Sequence, residues 1–212
     1  DVNGKTYTDV ILLEADAKGE ISPSIAAALE SLTAAPARKA AARPLAALLG
    51  KGVQAPWIPF ATSSYVALAD PPDAGLLRDL ARSPSPEIRA AALNGLGRAG
   101  DRDAFAVISD ALADKNLKVL RAGLFAAGKT RAWDLAPRMI ALLETEWTSI
   151  DLRAAVAGAL REITNQAYGD NPEIWKTWWK DNGSKLVDDN GEVAQQLRGK
   201  AEERIRALRF IA

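Results

Sequence analysis

Cysteine and histidine are both absent from this 212-residue sequence, and the two gaps remove more chemistry than any motif adds. Without cysteine there are no disulfides, no thiolate nucleophile and no sulfur-ligated metal. Without histidine there is no imidazole base, no Ser-His-Asp triad and none of the usual zinc ligand sets. Carboxylate pairs, lysine, tyrosine and serine-lysine arrangements are the catalytic options left, so a non-catalytic role is expected, with no cofactor and no metal. An excess of one charge is lacking too: 27 Lys and Arg balance 27 Asp and Glu. No pull toward nucleic acid or acidic membranes follows from that balance. No apolar run reaches the length of a membrane-spanning helix, so no membrane insertion is expected. Aromatic and β-branched residues are scarce while alanine and leucine are plentiful, which favours closely packed helices. The first residue is Asp1 rather than methionine; a cleaved secretory leader or a trimmed start both account for it, and an extracytoplasmic setting, periplasmic or secreted, is expected.

What is present is repetition. The segments EIRAAALNGLGRAG (87–100), VLRAGLFAAGKTRA (119–132) and DLRAAVAGALREIT (151–164) align so that Arg89, Arg121 and Arg153 fall at equal steps of 32. An aliphatic residue precedes each arginine, and a small residue, Ala91, Gly123 or Ala155, stands two places after it. Each segment follows a second amphipathic stretch: 74–83, 103–114 and 134–145. Asp103 and Asp134 stand where N-caps of those stretches are expected. A fainter copy comes earlier, with 43–52 as its first helix and 57–69 as its second, where Pro59 replaces the arginine and implies an altered helix start. A fixed period of helix pairs is the signature of a stacked repeat array.

With its aliphatic-Arg-x-small start to the second helix, the region from about 37 to 165 resembles the HEAT-repeat family of bacterial type. The resemblance implies an all-α fold, a right-handed α-α superhelix or solenoid whose second helices line a concave face. It also implies an aspartate several residues before the arginine that bridges neighbouring repeats. Asp114 precedes Arg121 by seven, but Ser83 and Trp147, six before Arg89 and Arg153, are not acidic, so the ladder reads as incomplete.

The ends differ from the repeats. Residues 5–22 read as a β-hairpin turning at Ala17-Lys18-Gly19, similar to short Gly-Lys-x-Tyr modules of bacterial envelope proteins. A helix capped by Ser22 and Pro23 follows. Near the other end, EIWKTWWKDN places Trp175, Trp178 and Trp179 at i, i+3 and i+4, one face of a helix. Asn171 and Pro172 start that helix, and Asp181-Asn182-Gly183 are expected to stop it. A repeat array leaves an apolar face without a neighbour at its end, and the tryptophans are read as the plug for it, with Trp175 and Trp179 the most buried; an aromatic platform for a sugar, base or proline-rich peptide is the alternative. Val193, Leu197, Ala201, Ile205 and Leu208 mark one face of a last helix, which either folds back or docks on something else. The expected divisions are 1–22, 23–170, 171–183 and 184–212.

Other candidate chemistry reads as structural. Asp101 with Asp103, and Asp188 with Asp189, suit helix starts and turns, and the run DDNGE lacks the alternating oxygen ligands of a calcium loop because position 186 is leucine. Gly95, Gly97 and Gly100 lie within and after a helix rather than between a strand and a helix, so they are not a phosphate cradle. They, with Gly123, Gly128 and Gly158, are read as sites of close helix packing. Arg98, Lys129 and Arg161, with Asn94 nearby, lie away from the apolar stripes and form the candidate partner-binding row. It suits an anionic patch on a protein better than nucleic acid, since a nucleic-acid groove must neutralise several phosphates; ordinary solvated charge is the competing account. The expected function is thus a non-catalytic scaffold for protein-protein interaction. The rival is an enzyme of the alkylpurine DNA glycosylase type, which some HEAT-like proteins are, with Trp133, Asp134 and Arg153 supplying the residue types. A bilin-lyase activity, also carried by HEAT-like folds, has no specific support in the sequence.

Overall fold

The computed structural model describes residues 42, 45–47, 49, 58–145 and 149–187. The expected β-hairpin (5–22), the helix beginning at Ser22, the Asp188-Asp189 turn and the stripe 193–208 lie outside those residues. Every element among the described residues is helical: α1 (Ile58–Leu68), α2 (Ala74–Leu80), α3 (Pro86–Ala99), α4 (Phe105–Ala111), α5 (Leu117–Thr130), α6 (Ala136–Leu143), α7 (Ile150–Thr164) and α8 (Pro172–Val187), with 3-10 turns at Arg102–Ala104 and Trp133–Leu135. Residues 42, 45–47 and 49 are helical as well, with Ala42, Leu45 and Leu49 buried. The chain divides into two compact units on either side of the Thr130–Arg131 bond.

In the first unit a short helix is followed by a long one, twice. α3 packs on α1, α2 and α5, and α4 packs on α5. Local sequence explains the boundaries. Ser85 accepts a hydrogen bond from the Ile88 N–H at 3.4 Å and Pro86 takes the first helical position, where its missing N–H costs nothing. α3 ends at Gly100, whose φ of +65° is the left-handed conformation that glycine adopts without a Cβ penalty. The α3 interior then decides the packing. A Cβ added to Gly95 would lie 2.7 Å from Leu77 and 2.8 Å from Val66, and one added to Gly97 would lie 2.8 Å from the Phe125 ring. Glycine at these places lets α3 approach its neighbours more closely than any other residue permits. Leu77, Ala92, Leu96 and Ile108 are fully buried at the centre.

Two expected caps are corrected. Asp101, rather than Asp103, caps the turn into α4: its Oδ1 accepts from the Asp103 N–H at 3.3 Å, while Asp103 lies inside the 3-10 turn. Asp134 likewise lies inside the turn Trp133–Leu135, which has no side-chain cap. Both short helices are entered through a 3-10 turn, and that moves the start of the helical run ahead of the aspartate.

In the second unit α6 packs on α7, and α8 packs on α6 and on the Trp133–Leu135 turn. Ser149 caps α7, accepting from the Leu152 N–H at 3.3 Å, and Asn165 ends it at φ +58°. Asn171 caps α8 by accepting from Glu173 and Ile174. The expected stop at Asp181-Asn182-Gly183 is not used, and α8 runs on to Val187. The reason is local: the Trp179 ring lies over Gly183, within 2.6 Å of where a Cβ would stand, and Asn182 Nδ2 donates back to the Trp178 carbonyl at 2.9 Å. Gly183 makes room for an indole instead of a left-handed turn.

The tryptophans divide. Trp175 is 1% exposed, with its Nε1–H donating to the Gly169 carbonyl at 2.7 Å and its ring edge-to-face with Tyr168 at 5.1 Å. Trp178 and Trp179 are both half-buried, so the expectation that Trp179 matches Trp175 is corrected. Its ring spends its contact on Gly183 of its own helix.

Candidate interaction surface

Of the four residues singled out in the sequence, Asn94, Arg98 and Lys129 belong to the first unit and Arg161 to the second. All four are exposed. On α3, Asn94 stands one turn before Gly97 and Arg98 one residue after it. The Phe125 ring of α5 fills the space over Gly97. That ring is itself 40% exposed, and the Lys129 Nζ, one turn along, sits 5.7 Å from its centroid. A cation within about 6 Å of a ring face is drawn to the ring quadrupole. Arg98 Nη1 donates to the Val66 carbonyl at the end of α1, which fixes the guanidinium without neutralising it. Arg98 makes no ion pair among the described residues. Phe125 is thus an exposed aromatic ring with one cation over it, while the exposed Asn94 and Arg98 stand on α3 within a turn of the glycine beneath it.

Phe125 is the residue that the sequence reading passed over. Its register equivalents are Leu93 and Ala157, so an aromatic at that step was the available signal. The same register shows that Lys129 and Arg161 are equivalent while Arg98 is one place off, because Gly97 holds the matching position. Arg161 lies elsewhere, on a groove of about 500 Å³ lined by Ile150, Ala154, Ala157, Gly158, Ala167, Gly169 and Asp170. Close packing was expected at Gly158, but a Cβ there would meet nothing within 4 Å.

The repeat arginines make clamps. Arg89 gives Asp114 Oδ2 two bonds, from Nε at 3.0 Å and Nη2 at 2.7 Å, and its Nη1 donates to the Ser83 and Pro84 carbonyls. Arg153 does the same in the second unit, with Asp170 accepting at 2.8 Å and the Leu143 and Asp170 carbonyls taking the other two N–H directions. Each arginine thus reaches forward in sequence, to a carboxylate 25 or 17 residues later. Residues 74–161 match the family model of HEAT repeats. Across this stretch the chain carries HEAT repeats. No curated protein and no solved structure matches it.

The HEAT-repeat assignment places Arg89 and Arg153 at equivalent steps, and both are engaged in full by these clamps. Asp170 is held below the usual carboxylate range, first by the Arg153 hydrogen bond, with desolvation opposing it and the Arg153 charge adding less. Arg153 therefore serves the repeat junction, while Trp133 is half-buried and Asp134 exposed. Among the described residues no cluster of three or more carboxylates could hold a metal ion, and no helix is long and apolar enough to cross a membrane.

Proposed function

We propose that this chain is a non-catalytic interaction module that binds a protein partner through the surface of α3 and α5, with Asn94, Arg98, Phe125 and Lys129 at its centre. One observation carries the reading: a partly exposed phenylalanine with Lys129 over its ring, seated on a glycine of α3 whose helix also presents the exposed Asn94 and Arg98. Aromatic and arginine side chains anchored on a rigid surface are the composition of interface hot spots. The partner supplies carboxylates around an apolar contact. A formal charge of zero over the chain supports protein rather than nucleic acid as the ligand, and repeat arrays serve as extended docking surfaces.

The test compares a tagged chain with its Phe125→Ala and Arg98→Glu/Lys129→Glu variants for retention of a copurifying protein. Phe125→Ala empties the space over Gly97 and Arg98→Glu loses its bond to Val66, so the variants are expected to stay folded with a melting temperature lower by about 2–6 °C and to lose the partner. Equal retention by all three chains removes the surface from the function. Binding of duplex DNA at low salt, weakened by the same charge reversals, turns the assignment to the glycosylase-type alternative.

A further inference from the structure

We draw no further inference here: the strongest candidate, the open groove along α7 lined by Ile150, Ala154, Ala157, Gly158 and Arg161, is an unpartnered face of mostly small side chains, and nothing among the described residues shows what covers it.

Discussion

Truncating Trp175 is the sharpest test of what holds the second unit together. The indole is 1% exposed, its ring stands edge-to-face with Tyr168, and its N–H satisfies the Gly169 carbonyl. Replacing a buried tryptophan by alanine removes the transfer free energy of the ring and leaves a cavity, together about 3–5 kcal/mol. The Gly169 carbonyl also loses its donor, at a cost of about 1–3 kcal/mol if water cannot replace it. For a chain of this size each kcal/mol moves the melting temperature by about 2–4 °C, so Trp175→Ala is expected to lower the transition of its unit by about 6–20 °C from the cavity alone and by up to about 30 °C if the carbonyl stays unpaired. Trp175→Phe keeps an aromatic ring beside Tyr168 and loses the donor, with an expected cost of about 1–3 kcal/mol. Trp178 is half-buried, so Trp178→Ala should cost about 1–2 kcal/mol. Urea unfolding followed by far-ultraviolet circular dichroism separates the three, free of the signals of the six tryptophans. If Trp175→Ala unfolds no earlier than Trp178→Ala, the buried indole is not what seals this unit.

Three further outcomes follow from the geometry. Gly95→Ala, although alanine is the better helix former, should destabilise by about 1–3 kcal/mol in urea melts because its Cβ meets the buried Leu77 and Val66 side chains at 2.7 and 2.8 Å. Asp170 has a lowered pKa, owing first to Arg153; its stabilisation is whole above the unfolded carboxylate pKa of about 3.9 and is lost as pH falls through the folded value. Acid melts of the wild type should therefore show a loss of stability below about pH 4 that Asp170→Asn does not share. Ser149→Ala removes the acceptor for the Leu152 N–H and should cost about 1 kcal/mol, read by the same urea titration.

The repeat was legible because stacking forces a period: Arg89, Arg121 and Arg153 kept their step of 32 through everything between them. Caps were less legible. A 3-10 turn ahead of α4 and another ahead of α6 moved the helix starts away from Asp103 and Asp134, and hydrogen-bond propensity alone does not reveal a tightened first turn. The arginine clamps were half legible. Asp114 stands where the resemblance implies a bridging aspartate and pairs with Arg89 of the neighbouring repeat, while Asp170, the partner of Arg153, lies outside the recognisable repeats. The stop at Gly183 failed because glycine serves two ends, a left-handed turn or a space for a large ring, and Trp179 selected the second. At the candidate surface the charges could be read from the sequence. Phe125 showed only as an aromatic at a step held elsewhere by Leu93 and Ala157, and its place over Gly97 of another helix needed the fold.

The forward reach of Arg89 gives the array a direction in time. On a ribosome the guanidinium emerges before its carboxylate, which is 25 residues behind it in the tunnel. The repeat that carries Arg89 is therefore left with an unmatched cation until its successor appears, and the order of synthesis sets when this joint locks.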